Sequence, residues 1–341
     1  MKELSNKQEN GTRREFFAFI AVMRVVATIL ITNTHFGKIW PMPQLAVGGL
    51  IGDLLFFVVS GFCLANSGKT GFFQYAKKRI LRIYPTIILV TFVFFLAGRT
   101  PISGWLGREG VLGSFVYPTR FHFVESIVLL YICLYPCIRF DFLKKRIPVV
   151  MAVVAIGFLI AYILTDRTVK LDVAEHFLVK FLFFEVMLYG VYIRQNVNKV
   201  KHPVLNWVMF LGSTAVYFAS KMFISEKQFC DLQILIFLAI FCVGATAIRA
   251  FASIEYLLVK LPKAAEKVIK FVADLTLEIY VVQTTLIGVV VSWKLPFVVR
   301  FPLIVIFIFV AALICNRAAK YTVKFFGYLA SKFADKSKVN K

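Results

Sequence analysis

Arg24, Thr28, Thr32 and His35 stand in one apolar run at offsets of four, eight and eleven. On a helix turning about 100° per residue these positions fall on a single stripe, so the run from Phe16 to Gly37 carries a polar rail where lipid-facing side chains are expected. Arg24 and His35 are separated along such a helix by about 16 Å. The chemistry on offer is anion binding at one end of the rail and proton transfer at the other, because an imidazole exchanges protons near neutral pH. Asp53 lies about six residues inside the next apolar run, close in depth to His35. A carboxylate there needs a partner, and the imidazole is a natural one. Arg79 and Arg82, at i and i+3, share a helix face, and guanidinium pairs suit phosphate oxygens. The same basic cluster equally suits an anchor beside anionic lipid.

Further ionisable residues interrupt later apolar runs. Glu125, in Arg120-Phe121-His122-Phe123-Val124-Glu125, is a second candidate for proton handling or sugar binding, and a solvated interfacial pair is the other reading of it. Glu185, within Phe183-Phe184-Glu185-Val186-Met187, is expected to pair with Arg24, since an isolated charge in hydrocarbon is expensive. Glu278 and Gln283 make 271–292 the second polar helix.

The elements that must position these groups are hydrophobic spans. Of 341 residues, 60% are hydrophobic and 16% aromatic, which excludes a soluble globular chain. About ten runs approach the ~20 residues a bilayer needs: 16–37, 47–66, 81–98, 120–138, 148–165, 176–193, 204–222, 231–249, 271–292 and 299–317. The expected fold is therefore all-α, a polytopic integral membrane helix bundle with about ten transmembrane helices. Residues 1–15 form an N-terminal tail, 16–319 the bundle and 320–341 a basic C-terminal tail.

Lysines and arginines fall in alternate loops, at 77–82, 139–146, 194–201, 260–270 and beyond Lys320. The positive-inside bias places both termini in the cytoplasm and the protein in the cell membrane. The same bias accounts for most of the net charge of +22, so nucleic acid need not be invoked as a partner. The loop from Arg249 to Lys270 reads as a basic amphipathic segment on the inner leaflet. The six cysteines show no metal-ligand spacing and read as packing residues, so no metal is expected.

Arg24 and His35, then Gly52-Asp53 leading into Phe56-Phe57-Val58-Val59-Ser60-Gly61-Phe62, then Lys78-Arg79-Ile80-Leu81-Arg82-Ile83-Tyr84-Pro85, together resemble the opening of the acyltransferase 3 family of membrane O-acyltransferases. The match is specific over roughly residues 20–85 and topological beyond them. The resemblance implies about ten spans and transfer of an acyl group, acetyl above all, from cytoplasmic acyl-CoA to a glycan or lipid-linked sugar, alongside polysaccharide-synthesis proteins. It further implies that His35 is the catalytic histidine of an Arg-x10-His motif begun by Arg24, and that Arg79 and Arg82 form an Arg-x2-Arg pair handling the donor. The run Thr276-Leu277-Glu278-Ile279-Tyr280-Val281-Val282-Gln283 resembles a late family pattern but has Gln283 where histidine is common. A glutamine cannot shuttle protons, which leaves His35 as the base.

On this reading the phosphates of acyl-CoA dock on Arg79 and Arg82, the pantetheine arm follows the rail past Arg24, and His35, oriented by Asp53 or Glu125, activates a sugar hydroxyl. Thr32 or Asn33 would stabilise the oxyanion. The competing class is a transporter or flippase of glycans or acyl groups, which also uses polar spans and midplane charge. The sequence shows no inverted repeat and no pair of Gly/Pro-broken spans to support it.

Overall fold

In the computed structural model, residues 17–96, 122–224 and 227–339 are described. The expected N-terminal tail 1–15 and the start of the run at Arg120-Phe121 lie outside them. All regular structure among the described residues is helical. Ten helices have sixteen residues or more: α1 (Ala18–His35), α2 (Gly49–Leu64), α3 (Phe72–Leu96), α4 (His122–Arg139), α5 (Ile147–Leu164), α6 (Phe177–Gln195), α7 (Pro203–Phe223), α8 (Gln233–Ser253), α10 (Thr276–Ser292) and α11 (Phe297–Val339). A shorter helix, α9 (Lys263–Asp274), precedes α10.

Five of the described helical segments are long and apolar enough to cross a membrane unaided, and six if the bent pair α9 and α10 counts as one. Charged residues interrupt several of the other long helices: Arg79 and Arg82 on α3, Glu125 on α4, Lys180 and Glu185 on α6. Apolar residues also cover much of the surface. On α5, Val153, Ile156, Ile160 and Ile163 are exposed, and on α7, Val204, Val208 and Leu211. Apolar patches of this extent need lipid to cover them.

α2 lies at the centre, packed on α1, α4, α6 and α8. Its contact with α6 is backbone on backbone. A Cβ added at Gly61 would sit 1.8 Å from the carbonyl oxygen of Met187, and one added at Gly190 would sit 2.1 Å from that of Val58. Without a hydrophobic force between helices in lipid, such close approach supplies the attraction. Phe57 stacks on Phe183 in the same seam, with ring centroids 4.3 Å apart.

Cross-helix contacts fix relative directions. Arg24 pairs with Thr276 and Thr32 with Gln283, so α1 and α10 run parallel. Phe57 meets Phe183 and Gly61 meets Met187, so α2 and α6 also run parallel. Asn206 meets Arg249 and Ser213 meets Thr246, so α7 and α8 are antiparallel. These directions suit a chain that crosses a layer alternately.

Three element boundaries differ from the sequence expectation. α3 begins at Phe72, before the expected 81, so Arg79 and Arg82 stand within a helix rather than at its mouth. The ninth run divides at Leu275, where α9 and α10 meet at 64° with neither Gly nor Pro at the break. The C-terminal segment from 320 is helical where described: α11 continues through it to Val339, as its Lys- and Ala-rich sequence holds good helix formers.

Candidate functional site

α1 is held rigidly at both ends. At its start, the backbone N–H groups of Ala18 and Phe19 donate to the two carboxylate oxygens of Glu255, at 2.7 Å each. A carboxylate at a helix N-terminus satisfies orphan donors and complements the helix dipole. At its end, Asn33 Nδ2 donates to the carbonyls of Leu45 and Val47, and Trp40 Nε1 donates to Asn33 Oδ1. Arg300 donates to the Ile39 carbonyl at 2.9 Å, and Trp40 packs on Phe297 and Phe301. The turn after His35 is thereby clamped onto the start of α11.

The polar stripe of α1 faces α10. Arg24 Nη2 donates to Thr276 Oγ1 at 3.1 Å, and Thr32 Oγ1 donates to Gln283 Oε1 at 2.7 Å. Thr28 turns its hydroxyl back to the carbonyl of Arg24. His35 is exposed and lines an open cleft of about 420 Å³ with Thr34 and Lys38 on one side and Thr284, Ile287 and Gly288 of α10 on the other. No described residue hydrogen-bonds or ion-pairs with the imidazole, so both ring nitrogens remain available. Asn33 Nδ2 and the Thr32 hydroxyl are already engaged, so neither is a ready oxyanion donor in this arrangement.

The basic end gathers residues from five helices, α1, α2, α3, α4 and α9. Arg82 lies within electrostatic reach of Arg24, as do Tyr131, Cys63 and Asp274. Arg79 donates to Ser67 Oγ at 3.2 Å, and its guanidinium lies 5.2 Å from the ring centroid of Tyr75 and 5.9 Å from that of Tyr131. Its Nε is buried with no hydrogen-bond partner. Tyr131 bonds Ser60, and Tyr75 donates to the Tyr131 carbonyl. Arg79, braced by two phenols and a hydroxyl, with the exposed Arg82 one turn on, forms a cradle that matches phosphate oxygens. Its side chains do not line the His35 cleft.

Three expected partnerships are not present. Asp53 is buried level with Ala27 and Ile31, below His35, and its Oδ1 has no hydrogen-bond partner. Its electrostatic neighbours are Glu175 and Tyr280 rather than the imidazole. Glu125 accepts from Lys180 Nζ at 2.5 Å, a part-buried bridge between α4 and α6, and does not reach His35. The expected pair of Arg24 with Glu185 is likewise absent, since Arg24 turns to Thr276 and no described residue bonds Glu185. Rotation of α6 decides this outcome: its small face, Gly190 above all, is committed to α2.

Glu278 is the polar node between the two ends. Its Oε1 accepts from Thr86 of α3 at 3.2 Å and from Asn316 of α11 at 3.0 Å, while Oε2 is buried without a partner. Residues missed in the sequence are Tyr131, Ser67 and Lys180, and Thr276 was noted only as part of a family pattern. Only Lys180 carried a signal, being a lysine inside an apolar run and therefore in need of an acid.

The model of the acyltransferase domain that defines the acyltransferase 3 family matches residues 17–317, nearly the whole chain. The chain belongs to the acyltransferase 3 family. It is a multi-pass membrane acyltransferase, and an acyl donor, an acceptor and a lipid bilayer are its general partners. No curated protein and no solved structure matches it. No group of three or more metal-ligating side chains occurs among the described residues, and the six cysteines are thiols.

Proposed function

We propose that this acyltransferase moves an acyl group, acetyl first, from cytoplasmic acyl-CoA to a hydroxyl of a cell-surface or lipid-linked glycan. One observation carries the reading: the polar stripe of α1 meets α10 over its whole length, from Arg24 with Thr276 to the cleft at His35. The stripe begins at Arg24, within electrostatic reach of Arg82, and ends at an exposed imidazole, which supports a donor arm lying between them.

The reading places residues 16–319 in the catalytic bundle as ten spans of the cell membrane, both termini and the arginine cradle being cytoplasmic. Arg79 and Arg82 bind the phosphates of coenzyme A, with Arg24 beside the donor arm. His35 Nε2 or Nδ1 accepts the hydroxyl proton as the acceptor oxygen attacks the thioester carbonyl. The new C–O bond forms, the C–S bond breaks, and the proton passes to the departing thiolate. With no protein partner on the ring, Asp53 and Glu125 are better assigned to the acceptor than to orienting the imidazole. They lie toward the His35 end of the bundle, and carboxylates suit sugar hydroxyls.

The test is label transfer from radiolabelled acetyl-CoA by purified protein in vesicles. Wild type should release or transfer label, His35→Ala should do neither while inserting normally, and full activity in that variant would refute the assignment.

A further inference from the structure

Between α8 and α10 the chain forms a strap, 255–274, made of the short helix Glu255–Leu258 and α9. Around the axis of α9 the residues divide into three sectors. Ala273 is buried, and Ala265, Ile269 and Val272 are half-buried on the side facing the bundle, where α9 packs on α1. Lys263, Lys267 and Asp274 share the opposite sector. Between the two runs an apolar edge that no described residue covers, with Val268 62% and Phe271 49% exposed. Tyr256, Leu257 and Val259 extend this apolar exposure along the strap.

The acids of the strap are largely committed elsewhere. Glu255 caps α1, and Glu266 pairs with Lys270. Lys260, Lys263 and Lys267 have no acidic partner among the described residues. The 64° angle between α9 and the spanning helix α10 lays this surface across the end of the bundle instead of through it. An oblique helix with an apolar edge beside unpaired lysines has the form of an interfacial membrane helix.

We propose that the strap 255–274 is a docking surface for anionic lipid headgroups, with Val268 and Phe271 entering the leaflet and Lys260, Lys263 and Lys267 on the phosphates. The surface is tied to α1 at both ends, through Glu255 at Ala18 and Phe19 and through Thr276 at Arg24. Seating of the strap in the leaflet therefore sets where Arg24 stands. The proposal does not depend on the acyl-transfer reading.

The full-length F271W protein, in vesicles of phosphatidylcholine with or without phosphatidylglycerol, tests it, with bromine on the lipid acyl chains as quencher and the wild type as blank. The added emission should be quenched at least ~twofold more with phosphatidylglycerol, and the excess should vanish in K260Q/K263Q/K267Q and at high salt. Absence of quenching in both vesicles, or equal quenching that the lysine substitutions leave unchanged, would overturn the proposal. Relief of quenching by added coenzyme A would assign the lysines to a soluble phosphate ligand and overturn it too.

Discussion

Thr32 of α1 and Gln283 of α10 are joined by a 2.7 Å hydrogen bond about one turn from His35, between it and Arg24, and the Gln283 amide nitrogen is buried with no partner. This bond ties the polar stripe of α1 to α10. Replacing Thr32 with valine keeps the shape and strands the whole glutamine amide. In bilayers such interhelical bonds contribute about 0.6 kcal/mol on average and up to ~1.7. The variant is expected to melt a few degrees lower in nanodiscs and to lose acyl transfer more than stability. Unchanged transfer would show that the bond is only structural.

Glu278 allows a sharper split. Glutamine retains an oxygen able to accept from both Thr86 and Asn316, whereas leucine leaves both donors buried and unmade. Leaving a buried polar group unsatisfied costs about 1–3 kcal/mol. Thermal unfolding is therefore expected to place Glu278→Gln near wild type and Glu278→Leu well below it.

Glu125 and Lys180 form a part-buried bridge, and removing one partner leaves the other charge uncompensated. Glu125→Gln should lower stability. It should leave the pH profile of transfer in place, because the carboxylate does not touch His35. That profile is expected to rise with pH from the acid side, since only the neutral ring accepts a proton. A shift of the rise in Glu125→Gln would reinstate it as the group orienting the base.

Much of this was legible in the sequence, for a physical reason. A polar group in an apolar run must face protein, so the stripe from Arg24 to His35 and the polar run around Glu278 and Gln283 announced two helices with faces turned away from lipid. The partners were not legible. Whether Arg24 meets Glu185 or Thr276 depends on how α6 is rotated, and the Gly61 and Gly190 contacts with the α2 and α6 backbones set that rotation. The break at Leu275 was hidden because hydropathy runs on through it without Gly or Pro.

Arg79 and Arg82 should separate donor binding from chemistry. Arg79→Lys removes the planar contact with Tyr75 and Tyr131 while keeping charge, and Arg79→Ala with Arg82→Ala removes both guanidiniums. Loss of charge-assisted hydrogen bonds worth about 1.5–3 kcal/mol corresponds to a rise in donor KM of roughly tenfold or more. Steady-state kinetics with varied acetyl-CoA should show that rise, smaller in Arg79→Lys. Unchanged donor KM would return the pair to the role of a lipid anchor.

The seam between α1 and α10 is assigned as a route from one membrane face to the other, and sidedness tests that claim most directly. Proteoliposomes of defined orientation would receive labelled acetyl-CoA on the arginine side and a hydroxyl acceptor only on the His35 side. The account expects labelled acceptor across the bilayer, abolished by His35→Ala. Label appearing only when donor and acceptor share one side would contradict it.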